Sequence, residues 1–227
     1  MTAGLTPLSL AFLGAAAIAA LADWVVVARR ARSLDDPGAS RAGSRLRFVT
    51  KPLVLVLLIG AAVALEPRDP AVRVWFVAAL VLSLAGDVAL LFARGFVVGL
   101  AAFLVAHVAY ANGFLVGGVA PVPLVAGLAA MLVADGLLVR RLVPAIRDGG
   151  HGELLPPVLA YLAALTAMVA TAAGSAIPLA AAGAALFAAS DALLADGRFV
   201  RPRPRGDVLV RVLYHLAQAC LVLSLIA

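Results

Sequence analysis

Eight apolar runs divide this chain, at residues 6–28, 48–65, 71–92, 95–116, 119–139, 155–173, 176–195 and 208–226. A helix needs about 20 apolar residues to cross the hydrocarbon core of a bilayer, and the breaks between these runs carry charge, Pro or Gly. The chain is 64% hydrophobic and 13% charged, with a mean hydropathy of +1.09. Ordinary soluble domains are about 45–50% apolar and about 25% charged. A water-soluble fold would have nowhere to bury this surface, and a disordered chain is excluded by the same figures. The expected fold class is therefore an all-α polytopic membrane protein, a bundle of eight transmembrane helices forming one domain over residues 1–227.

The first run ends near Ala20-Leu21-Ala22, which looks like a small-residue cleavage site. No Lys or Arg precedes it, however, and the apolar stretch continues through Trp24 to Ala28, so it reads as a retained helix. Charge then fixes the orientation. The net charge is +6, and all but one of the 18 basic residues are Arg. Arg29, Arg30, Arg32, Arg41, Arg45 and Arg47 follow the first run; Arg94 follows the third; Arg140, Arg141 and Arg147 follow the fifth; Arg198, Arg201, Arg203, Arg205 and Arg211 surround the last connection. The even-numbered connections hold Arg68 and Arg73 alone. This bias places the odd connections in the cytoplasm and both termini outside, in a plasma or inner membrane. It also accounts for the basic balance without nucleic acid. Cys220 lies within an apolar run and reads as a packing residue.

A weak internal echo is present. Asp23-Trp-Val-Val-Val-Ala-Arg29-Arg30 resembles Asp135-Gly-Leu-Leu-Val-Arg140-Arg141, and Gly86-Asp87 resembles Ser190-Asp191. Two readings account for it: two parallel four-helix repeats, or coincidence in an Ala/Leu/Val-rich alphabet.

Ionisable residues within a span cost about 2.5–3.5 kcal/mol each on insertion scales, so each invites a reason. Asp23, Lys51, Asp87, His107, Asp135, Asp191 and His215 are such residues, with Tyr110, Asn112, Tyr214 and Gln218 nearby. At 1.5 Å per residue, Asp87 lies about 10 Å from Arg94 and Asp191 a similar distance from Arg198. Most of the set thus shares one depth in the cytoplasmic half. His107 lies deeper. Ser83 and Asp87, Tyr214 and Gln218, and Arg211 and His215 are each i and i+4; His107 and Tyr110 are i and i+3. Polar stripes at one depth on several helices predict an internal cavity. Asp23 and Asp135 can also pair with their adjacent Arg, and Lys51 can snorkel. Asp87 and Asp191, set among Ala, Leu and Val, are the strongest catalytic candidates.

No Gly-x-Ser-x-Gly, His-Glu-x-x-His or Gly-rich phosphate loop occurs. His107, His215, Asp87 and Asp191 could compose a His/carboxylate metal site, but no two His have ligand spacing on one helix, and the expectation is no metal and no other cofactor. Two carboxyls in a partly dry pocket suit acid/base chemistry on an acid-labile carbon–oxygen bond. One donates a proton; the other stabilises an oxocarbenium-like species or activates water.

Thr50-Lys51-Pro52-Leu53, Leu82-Ser83-Leu84-Ala85-Gly86-Asp87, His107-Val-Ala-Tyr110, Phe187-Ala-Ala-Ser190-Asp191 and Tyr214-His215-Leu-Ala-Gln218 together resemble the YhhN family of membrane proteins, which includes the lysoplasmalogenases. Residues 120–180 contribute no distinctive motif. The resemblance implies hydrolysis of the vinyl ether of a lysoplasmalogen, or a related lysolipid or ether lipid, taken from the bilayer. The products would be a fatty aldehyde and a glycerophospho head group. Asp87 and Asp191 would be acid and base. Lys51 would hold the phosphate or pair with an aspartate. His107, Tyr110, Tyr214, His215 and Gln218 would orient water and head group, and Ser83 and Ser190 would hydrogen-bond the carboxylates. The competing class is a proton-coupled lipid or solute transporter using the same aspartates.

Overall fold

A computed structural model describes residues 3–32, 37–92, 94–201 and 206–227. Arg203 and Arg205, and the side chains of Arg30, Arg32, Arg41, Arg45 and Arg47, which count toward the orientation above, lie outside the described residues. Among the described residues eight α-helices follow in order: α1 Pro7–Arg32, α2 Pro37–Ala64, α3 Pro70–Ala89, α4 Phe96–Gly117, α5 Pro121–Asp148, α6 Leu155–Gly174, α7 Pro178–Ala195 and α8 Gly206–Leu223. Seven are long and apolar enough to cross a membrane, and α2 contains the shorter apolar helix Phe48–Ala64. Among the described residues the extended pairing is limited to one bridge between Gly4 and Glu66.

The starts of these helices follow from local chemistry. Five begin on proline, whose fixed φ suits the first turn and whose missing N–H would have had no partner there. Asp69 caps α3, its carboxylate accepting the Ala71 amide at 2.7 Å. At α1 the Thr6 and Ser9 hydroxyls each accept the other's backbone N–H, and Thr6 also donates to the Ala64 carbonyl, tying the start of α1 to the end of α2. The helices extend further than the apolar runs: α1 reaches Arg32, α2 starts at Pro37 rather than 48, and α5 ends at Asp148 rather than 139. Helical hydrogen bonding does not stop where hydrophobicity stops, and Ala and Arg are strong helix formers.

Packing runs α1–α2–α3–α4, then α4 on α6, with α6 on both α5 and α7, and α7 on α8; α8 returns to α1, α2 and α3. Within each half, consecutive helices are neighbours, and the fourth helix of each half packs on the second helix of the other. α5 is the most peripheral helix, with most of its apolar surface facing outward. In hydrocarbon, close approach depends on small residues. A Cβ at Gly183 would sit 3.0 Å from the Ala217 carbonyl and from Cys220 Cβ, so glycine sets the α7–α8 spacing.

Candidate active site

Asp87 stands on the inner face of α3, 1% exposed. The residue before it explains how an aromatic wall reaches it. A Cβ at Gly86 would lie 2.6 Å from the Phe103 ring, so only glycine there allows α4 to lay Phe103 across α3. Phe103 meets Phe187 and Tyr214 edge-on, at 6.3 and 5.9 Å, and this pins Tyr214. Lys51 of α2 reaches Asp87 Oδ1 at 2.7 Å, and the Tyr214 hydroxyl donates to Oδ2 at 3.0 Å. The carboxylate is thus flanked by an ammonium and a phenol from two other helices.

Asp191 on α7 has a different surrounding. The Tyr161 hydroxyl of α6 donates to its Oδ2 at 2.5 Å. The His107 Nε2 stands 3.9 Å from the same oxygen, beyond hydrogen-bond range. The imidazole is fixed instead by Tyr161 and Phe187, at ring separations of 5.0 and 4.8 Å. His107, deep along α4, therefore does adjoin the second aspartate.

A cavity of about 690 Å³ joins the two carboxyls, within the range typical of small-molecule sites. Its polar lining includes Lys51, Asp87, Asp135, Tyr161, Asp191 and Tyr214. Its apolar wall is built from α4, α5, α6 and α7, including Phe103, Met131, Leu165 and Val169. Helices α5 and α7 face each other across it. At the α7–α8 end it is lined by Arg198, Phe199, Asp207 and Arg211.

The remaining candidates form a layer behind this cavity. Tyr110 donates to Gln218 Oε1 at 2.6 Å. The Trp24 indole donates to His215 Nδ1 at 3.0 Å, which leaves the imidazole proton on Nε2. Neither His107, Tyr110, His215 nor Gln218 lines the cavity. The serines also depart from expectation. Ser190 donates to the Val210 carbonyl at 2.9 Å rather than to Asp191, and Ser83 Oγ has no hydrogen-bond partner among the described residues. A backbone carbonyl on the adjacent helix lay within reach of Ser190, and sharing a helix face with Asp87 did not bring the Ser83 hydroxyl to it.

Among the described residues neither Asp23 nor Asp135 pairs with a neighbouring arginine, the Arg30 side chain lying outside them. Asp23, fully buried, is bridged by Arg211 of α8 at 2.7 and 2.8 Å and receives the Thr50 hydroxyl at 2.6 Å. Asp135 faces the cavity and receives the Thr166 hydroxyl of α6. Both turn inward because a buried carboxylate gains more from fixed partners than from a side chain that can reach the interface. Lys51 likewise is engaged with Asp87. Tyr161 was missed entirely: it sits in the stretch without a motif, and its one signal was a phenol six residues into an apolar helix. Among the described residues no group of three or more His, Cys, Asp or Glu is placed to hold a metal.

The arrangement offers one carboxylate charge-paired to an ammonium, a second carboxyl held by neutral donors, and an apolar chamber beside both. Comparison with known proteins adds an independent line. The family model described as the YhhN family matches residues 46–225. A lysoplasmalogenase of Mycobacterium bovis is 38% identical over 173 residues, covering 72% of this chain and 64% of the relative, and one of Mycobacterium tuberculosis matches equally. Human lysoplasmalogenase TMEM86B is 33% identical over 153 residues, covering 64% of this chain and 61% of the relative. The chain thus spans a little under two thirds of the length of these relatives. No solved structure matches it.

Proposed function

The chain belongs to the YhhN family, and from that premise we propose that it is a membrane-embedded hydrolase of the vinyl ether bond of a lysoplasmalogen or a closely related lysolipid. The observation that carries this reading is the pair of unlike carboxyls, Asp87 and Asp191, on one chamber of about 690 Å³. The names of the curated relatives point to the same reaction.

The unlike partners divide the roles. Asp191, held by the Tyr161 hydroxyl and in no ion pair with a Lys or Arg among the described residues, donates a proton to the vinyl carbon remote from the ether oxygen, the one that carries the alkyl chain. The ether carbon becomes an oxocarbenium centre, and Asp87 is the carboxylate that stabilises it. Asp87 then takes a proton from the attacking water, while Lys51 and Tyr214 hold its two oxygens. The hemiacetal collapses to aldehyde and alcohol. The alkenyl chain lies along Met131, Leu165 and Val169, where burial of each methylene contributes about 0.8 kcal/mol.

The deciding experiment incubates purified protein with lysoplasmalogens and saturated lysolipids and measures free aldehyde. Wild type releases aldehyde from the vinyl ether lipid, whereas Asp87→Asn and Asp191→Asn each lower release by a factor of a hundred or more. No release above the variants from any vinyl ether lipid removes the hydrolase reading. We further propose a plasma- or inner-membrane location, with odd-numbered connections cytoplasmic and both termini outside. Arg141, Arg147 and Arg198 at the ends of α5 and α7 support it. A cysteine at Gly149, just past α5, should be labelled from the cytoplasmic side; labelling only from outside reverses the orientation.

A further inference from the structure

We infer that the end of the cavity at the α7–α8 connection is a binding site for a lipid phosphate, built on Arg198. The inference deepens the hydrolase reading and rests on it for the identity of the lipid. Of the cations that line the cavity or brace its wall, Lys51 is paired with Asp87 at 2.7 Å, Arg211 with Asp23 at 2.7 Å, and Arg141 with Asp196 at 3.0 Å. Among the described residues Arg198 forms no ion pair. Its guanidinium lies instead over the Phe96 ring, 4.0 Å from the centroid.

That stacking has a chemical consequence. A cation over an aromatic ring uses the face of the guanidinium, while its N–H donors lie in the plane and point outward. The fork is therefore oriented but unspent, which suits two oxygens of a phosphate. The backbone beneath it is also fixed. Arg198 sits in a single π turn, Asp196–Val200, clamped by the Arg141–Asp196 pair and by the Arg201 amide on the Asp196 carbonyl. Phe199 meets Phe96 edge-on at 5.9 Å.

The spacing matches the lipid. Arg198 is seven residues beyond Asp191, and both line the cavity; at the α-helical 1.5 Å per residue, and somewhat less in the π turn, the backbone rises about 10 Å or a little under between them. In a lysoplasmalogen the carbon to be protonated and the phosphorus are separated by seven bonds, about 9 Å when extended. A lipid with its vinyl group at Asp191 is long enough to bring its phosphate to the end of the cavity that Arg198 lines. Lys51, committed to Asp87, is relieved of the phosphate role that the sequence offered it.

The test separates this inference from the reaction by using lipids that cannot be cleaved. Binding of a saturated 1-O-hexadecyl lysophosphoethanolamine and of 1-O-hexadecylglycerol, which lacks the phosphate, is measured on the full chain in detergent. Arg198→Gln should weaken the phospholipid about tenfold and leave hexadecylglycerol unchanged, and Arg198→Lys should recover part of the loss. Unchanged binding of both lipids, or equal loss of both, overturns the inference. Displacement of the phospholipid by inorganic phosphate as effectively as by glycerophosphoethanolamine also overturns it, assigning the site to free phosphate. Because neither lipid carries a vinyl ether, failure to release aldehyde counts against the hydrolase reading and not against this site.

Discussion

Asp23 in α1 and Asp135 in α5 occupy matching places in the two halves of the bundle. Each receives a threonine hydroxyl from the next helix, Thr50 and Thr166. Beyond that they part. Asp23 is closed off by Arg211 and fully buried, whereas Asp135 has no cation bridged to it among the described residues and opens onto the cavity. The same contrast separates Asp87, with its lysine, from Asp191, with its tyrosine. Of these four, Asp23 and Asp87 in the first half are paired with cations, and Asp135 and Asp191 in the second are held by hydroxyls. An ion pair fixed in a low-dielectric interior is a rigid part, costly to break. A carboxyl with only neutral donors keeps an oxygen for a ligand. The cation-paired carboxylates are held rigid, while Asp135 and Asp191 keep an oxygen available to the cavity.

Removing one member of a closed pair should hurt most. Arg211→Met leaves Asp23 buried and unpaired, and should cost about 3 kcal/mol in thermal unfolding of the purified protein. Adding Asp23→Asn should recover most of that. If the single variant melts with the wild type, the pair is not a rigid part of the fold. Lys51→Met strips the ammonium from Asp87 and should lower aldehyde release about a hundredfold. An equal loss at Lys51→Arg would place the cause in shape rather than charge. Tyr161→Phe removes one hydroxyl from Asp191 and should slow release about tenfold, with the melting temperature nearly kept. Smallest is Asp135→Asn, which trades a carboxylate with no cation partner for its isostere and should shift stability by less than about 1 kcal/mol. A loss there as large as at Arg211 would erase the contrast between the halves.

The eight helices were legible because bilayer crossing demands long apolar runs, and seven of them are long and apolar enough to cross; their ends were misjudged, chiefly where Arg-rich segments continue as helix. Asp87, Asp191 and Lys51 stood out because charge is rare inside such runs. Their partners were harder to read. Tyr161 contacts Asp191 across 30 positions and Arg211 contacts Asp23 across 188, and these pairings depend on how helices rotate and which neighbours they choose. Ser190 shows the same limit from the other side. Adjacency to Asp191 in sequence gave its hydroxyl no claim on the carboxylate once the Val210 carbonyl lay 2.9 Å away. Face and depth are local properties, while hydrogen-bond partners are settled by the assembled bundle.

The contact between position 86 and the Phe103 ring ties two residues 17 positions apart into one unit of inheritance. Any side chain larger than hydrogen at 86 must displace an aromatic ring that also pins Tyr214. Selection for regained activity after Gly86→Ala should therefore return second changes at 103 to smaller apolar residues, and the two sites should drift together or not at all.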